Sequence, residues 1–122
     1  MGHEFEELSG RILEAAVAVH KELGPGFLES VYQKAMEIGL RHRGIAFERQ
    51  MGIHIFFENE EAGFHRIDLV VEKQIIVELK AVKELADIDF SQTKSYLKAA
   101  RLRVGLLLNF NAPTLVVKRV VL

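Results

Sequence analysis

Two apolar stretches interrupted by charge constrain this chain more than any other feature. They read Phe64-His65-Arg66-Ile67-Asp68-Leu69-Val70-Val71 and Gln74-Ile75-Ile76-Val77-Glu78-Leu79-Lys80-Ala81. Both have the composition of buried strands, where an ionised group is costly unless a partner or a metal ion compensates it. Side chains alternate along a strand, so Glu78 and Lys80 share one face and Leu79 takes the other. Folded as a hairpin, the two stretches bring Asp68 opposite or diagonal to Glu78. A carboxylate pair with an ammonium beside it suits a divalent cation and a water nucleophile.

The rest of the composition excludes several alternatives. The chain has 122 residues and is expected to form one domain over 1–122 with a real core. It contains no cysteine, which removes disulfides, iron–sulfur clusters and thiolate zinc sites. No apolar run is long enough to cross a bilayer, and Met1-Gly2-His3-Glu4-Phe5-Glu6-Glu7 is acidic where a signal peptide would be basic. Glu6 also stands where a myristoylation signal needs Ser or Thr. A cytoplasmic protein with no membrane association is the expectation. Net charge is −1, but it is unevenly spread: residues 1–89 carry −7 and residues 90–122 carry +6. That asymmetry allows a basic strip beside an acidic centre, and also two solvated faces of opposite sign.

Apolar spacing predicts a helix from Glu6 to Leu23, stopped by Gly24-Pro25-Gly26. A second helix is predicted from Phe27, with cations in its last turn and Gly44 after it. A strand from Phe47 to Phe57 follows, then a polar turn over Glu58–Gly63 and the two charged strands, separated by Glu72-Lys73-Gln74. Asp89-Phe90-Ser91-Gln92 reads as a capping box opening a third helix that runs to about Arg103. Strands Val104–Phe110 and Leu115–Leu122 complete the chain. The order α-α-β-β-β-α-β-β predicts an α/β fold with a mixed sheet packed against helices.

Further candidates lie on the helices. Glu29 shares a helix face with Tyr32, although a first-turn acid is also a common partner of the helix dipole. Gln92 and Tyr96 are four apart, as are Lys94 and Lys98, with Arg101 near them. The cations suit phosphates, or form an ordinary solvated face. His3, His42, His54 and His65 lack metal-ligand spacing. His20, beside the Gly24-Pro25-Gly26 turn, competes between an outer site candidate and a hydrogen-bonded structural histidine. Neither a nucleophile elbow nor a phosphate-binding loop is present.

Asp68, Glu78-x-Lys80 and Gln92-x-x-x-Tyr96, with an acid in a preceding helix, resemble the PD-(D/E)xK nuclease superfamily, and the Gln-x-x-x-Tyr pair resembles its RecB-like branch. The segment Leu23–Tyr32 resembles the GxxExxY family within it, through Gly26, Glu29 and Tyr32. Arg66-Ile67-Asp68-Leu69, Val77-Glu78-Leu79-Lys80 and Leu107-Leu108-Asn109-Phe110-Asn111 are also similar to that family. The resemblance runs from about Leu8 to the C-terminus. One departure is Ile67, where the superfamily often has proline before the aspartate.

The resemblance implies a restriction-endonuclease-like fold and a Mg²⁺- or Mn²⁺-dependent nuclease acting on DNA ahead of RNA. Asp68, Glu78 and the Leu79 backbone carbonyl would hold the metal, with Glu29 as a third carboxylate and His20 as an outer candidate. Lys80 would orient water and stabilise transition-state charge, while Gln92 and Tyr96 would brace the site or contact substrate. Lys94, Lys98 and Arg101 would meet the nucleic acid. The alternative is a non-catalytic nucleic-acid- or protein-binding module that keeps the fold. A homodimer paired through the β-branched segment Leu115–Leu122 is compatible with either.

Overall fold

The first helix, α1 (Glu6–Leu23), buries Ile12, Ala15, Ala16 and Val19 in the computed structural model, which describes residues 5–122. Met1–Glu4 lie outside the described residues, and with them most of the acidic start and His3. Gly24, at φ 68°, ends α1 in a conformation that L side chains resist, and its N–H donates to His20 O. The second helix, α2 (Glu29–His42), buries Tyr32, Met36 and Leu40, each one turn after the last. It begins at Glu29, two residues later than periodicity predicts. Phe27 and Leu28 lie in the connecting loop, and Leu28 is extended backbone.

Strands β1 (Phe47–Phe57), β2 (Glu60–Val71), β3 (Ile75–Lys80), β4 (Val104–Asn109) and β5 (Val116–Val121) form one sheet in sequence order. The expected polar turn of six residues shrinks to Glu58-Asn59, because both adopt positive φ and Phe57 pairs with Glu60 across them. This is the backbone that a two-residue hairpin needs. β2 and β3 are antiparallel, so the expected hairpin forms. β3 and β4 run parallel, joined through α3 (Asp87–Ala100), and β5 returns antiparallel to β4. This is the α-α-β-β-β-α-β-β mixed sheet that the sequence predicts.

α3 starts two residues before the predicted cap. Asp89 is its third residue, and its carboxylate accepts the Ala86 N–H at 2.8 Å. The helix ends at Ala100, with Arg101 left-handed after it. Helices cover both faces of the sheet. Leu69, Val71, Val77, Leu79, Leu106 and Leu108 pack with α1 and α2, whereas Ile67, Val70 and Ile76 pack with Leu97 of α3. β4 is buried along its whole length, as a parallel strand covered on both faces must be. Gly105 admits α3 closely: a Cβ there would meet Thr93 Cγ2 at 3.1 Å.

Strand alternation resets at Asp68. Ile67 and Leu69 would share a face in a regular strand, yet they join opposite cores. Across from Asp68 the ladder with β1 skips Gln50, which has φ 49°.

Candidate active site

Ladder pairing between β2 and β3 covers Leu69↔Val77, Val70↔Ile76 and Val71↔Ile75. Beyond it, carboxylates take over as acceptors of the strand N–H groups. The Asp68 N–H donates to Glu78 Oε1 at 3.2 Å, and the Leu79 N–H donates to Asp68 Oδ2 at 2.8 Å. These reciprocal bonds lock the two acids together without a counter-charge. Gln50 Nε2 reaches Asp68 Oδ1 at 3.5 Å, and Gln33 Nε2 donates to the Asp68 carbonyl at 3.0 Å. Glu37, a buried acid one turn after Gln33 on α2, anchors Gln33 in turn and pairs with Arg49 at 3.1 Å.

The electrostatics follow from this crowding. Burial, followed by the Asp68 charge, pushes the Glu78 carboxyl up to about 8. Burial also raises Asp68, with the Leu79 N–H and Lys80 opposing it. Lys80 offsets both acids only in part, because its Nζ lies 3.7 Å from Asp89 Oδ1. Glu29, the first residue of α2, is exposed yet within electrostatic reach of the same groups. Partial desolvation and then the Asp68 charge raise its pKa, while Lys80 and the Ala81 N–H stabilise its charge.

The α3 side of the site carries a stacked pair. The rings of Tyr96 and His65 lie 3.8 Å apart and 11° from parallel. Burial raises the Tyr96 phenol, and the charges of Glu78 and Asp68 add to that. Burial lowers the His65 imidazole.

A family model of the PD-(D/E)XK nuclease superfamily matches residues 6–120. The chain belongs to this superfamily. Comparison with curated proteins gives no match. Among solved structures, the crystal structure of SSO0001 is similar in fold, with a TM-score of 0.58 at 18% identity, covering 97% of this chain and 57% of that one. The chain therefore spans little more than half the length of that protein. The PD-(D/E)XK superfamily is one of nucleases, and these typically use divalent metals.

The chemistry of the donor set fits such an ion. Asp68 and Glu78 are hard oxygen donors whose ionised forms burial disfavours, and a divalent cation relieves that cost. No three His, Asp or Glu side chains among the described residues converge closely enough to hold an ion together. The structure thus brings Asp68 and Glu78 into contact and leaves Glu29 as an electrostatic neighbour. Gln92 is exposed on the helix that carries the half-buried Tyr96. His20 goes elsewhere: its Nε2 bonds the Ala112 carbonyl at 2.8 Å, which is the structural role weighed for it in the sequence.

Three residues near the PD-(D/E)XK pair escaped the sequence reading. Asp89 was legible as a helix-start acid but not as the partner of Lys80. His65 lacks metal-ligand spacing in the sequence, and its partner is a ring on α3. Asn109 is almost fully buried at the end of β4, with Oδ1 accepting from Val82 N–H and Nδ2 donating to Val82 O. It fixes the turn after Lys80. Its place in the Leu107–Asn111 segment was the available signal. A groove of about 560 Å³ lies between α1 and α2, lined by Ala15, Val19, Val31 and Ile38, well apart from this chemistry.

Proposed function

We propose that the chain is a metal-dependent phosphodiesterase of the PD-(D/E)XK type that hydrolyses DNA, with RNA as the second candidate. The observation that carries this reading is the Asp68–Glu78 pair, hydrogen-bonded through reciprocal backbone contacts and raised in pKa, with Lys80 beside it. Two acids kept side by side in a strand pair destabilise the protein unless a cation is part of its working state.

Asp68, Glu78 and the Leu79 carbonyl are the residues that would hold Mg²⁺ or Mn²⁺, with Glu29 completing the negative field. Such an ion supplies Lewis acidity toward the phosphate and lowers the pKa of bound water. Lys80 contributes positive charge toward the developing phosphorane, and Asp89 holds its ammonium in place. Tyr96, kept against His65, lines the α3 side, and Gln92 extends that wall toward substrate. Lys94, Lys98 and Arg101 are exposed on or just after α3, a suitable strip for the phosphate backbone. The GxxExxY assignment and the RecB-like Gln-x-x-x-Tyr placement belong to this reading.

β5 is a sheet edge, and Val121 and Leu122 at its end are exposed, which gives a second copy a place to pair. No helix among the described residues is long and apolar enough to cross a membrane. A cytoplasmic site of action accords with that reading.

The test is cleavage of single-stranded, duplex and branched DNA, and of RNA, with Mg²⁺ or Mn²⁺. Metal-dependent cleavage that Lys80→Ala and Asp68→Asn abolish is the expected result. Cleavage indifferent to both substitutions would sink the mechanism. Tight binding without cleavage or any metal effect on melting would favour the binding-module alternative.

A further inference from the structure

Tyr32 is fully buried, yet its hydroxyl is engaged twice. It donates to the Gly24 carbonyl at 2.6 Å and accepts from the Phe27 N–H at 3.2 Å. Those two contacts bracket Pro25-Gly26, the tightest part of the loop between α1 and α2. Gly26 has φ 109°, which an L side chain cannot adopt without strain. Glu29 follows two residues after Phe27 as the first residue of α2. The hydroxyl therefore fixes the loop that delivers Glu29.

The ring of Tyr32 reaches the other half of the site. It stacks on Phe110 at 4.7 Å and 12°, and Phe27 meets it edge-on at 6.2 Å. The Phe110 N–H donates to the Lys80 carbonyl at 2.9 Å. The next residue, Ala81, points its own N–H toward the Glu29 carboxylate. One side chain thus touches both the loop that carries Glu29 and the residue that grips the end of β3.

We propose that Tyr32 is a positioning residue that sets Glu29 against the Lys80–Ala81 end of β3, so that Gly26, Glu29 and Tyr32 act as one device. A Phe would fill the same volume and keep the stack on Phe110. The hydroxyl is what a core-filling role does not require, because a buried polar atom is tolerated only where it is bonded. The function of Glu29 in this inference rests on the nuclease reading above, while its placement does not.

The experiment is a double-mutant cycle read by amide NMR on the whole chain without metal. Glu29→Gln should shift the Ala81 amide in the wild-type background, and that shift should shrink at least about twofold once Tyr32→Phe is present. The Leu79 amide, bonded to Asp68, should keep its position in Tyr32→Phe. An undiminished Ala81 response would overturn the proposal, and so would equal disturbance of Leu79 and Ala81. Should Tyr32→Phe fail to fold, Gly26→Ala strains the same loop and must produce the same selective loss at Ala81, or the proposal falls. In a parallel assay, Tyr32→Phe and Glu29→Gln should raise the metal concentration for half-maximal cleavage by the same factor. A wild-type chain that cleaves nothing would remove the nuclease reading and leave the NMR cycle to decide the placement.

Discussion

Seventeen buried apolar residues pack between α1, α2 and one face of the sheet, whereas six form the cluster under α3 on the other. Charge distributes in the opposite sense. Glu78 and Lys80 alternate onto the α3 side with Ile76, where Tyr96, His65 and Asp89 meet them. The larger apolar layer stabilises the fold through area removed from water. The thinner one leaves room for ionisable groups whose burial the larger layer must offset. Substitutions on the two faces should therefore fail in different ways.

The largest effect is expected in the larger core. Leu106→Ala should cost about 3 kcal/mol, a melting shift of roughly 12 °C by calorimetry, because β4, buried along its whole length, has little room to collapse around the cavity. Tyr96→Phe, on the other face, should stay within about 0.5 kcal/mol of wild type. Comparable losses from the two would break the contrast. Next comes catalysis: Lys80→Ala should lower cleavage about 100-fold or more with a melting loss well below that of Leu106→Ala, since a half-buried side chain contributes less packing than a core leucine. Loss of melting in step with activity would assign Lys80 a structural role.

A smaller effect concerns pH. The Glu78 carboxyl sits near 8 in the folded chain against 4.5 as a free group, so the native state holds a proton that the unfolded state has released. Stability without metal should therefore fall as pH rises from about 4.5 to about 8. Asp68, also raised, acts in the same sense. Glu78→Gln should flatten that fall and add about 1 kcal/mol at pH 8 in metal-free buffer, measured by urea unfolding. A steeper profile in the variant would refute the cost assigned to this pair. The smallest expected effect is on binding: Lys94→Ala or Lys98→Ala should reduce the salt slope of DNA affinity by about 1 and weaken all sequences alike.

Much of this contrast is legible along the chain. Period-3.6 spacing places Ile12, Ala15, Ala16 and Val19 on the core face of α1, and the full helix from Glu6 to Leu23 is readable. Asp68 and Glu78 are conspicuous because acids are rare in strands so apolar. Element ends are less legible. Glu58-Asn59 and Glu72-Lys73 make their turns with positive φ on ordinary residues, and side-chain chemistry does not announce that. Asp89 looks like a first cap residue and works instead at the third position, because Ala86 supplies the N–H that it accepts.

The sequence by itself determined the order of elements, the two acids and the lysine, since those depend on local periodicity and on the rarity of charge in apolar strands. Only the tertiary structure decided which groups meet. Asp68 and Glu78 exchange bonds through each other's backbone because the β2–β3 ladder ends beside them. Lys80 finds Asp89, His65 stacks on Tyr96, and His20 is taken by Ala112, each across an interval that no local pattern encodes. Glu29 approaches through a loop closed by Tyr32 and Phe110. Partners of this kind are selected by packing between elements distant in sequence, where the energy depends on position in space rather than on spacing along the chain.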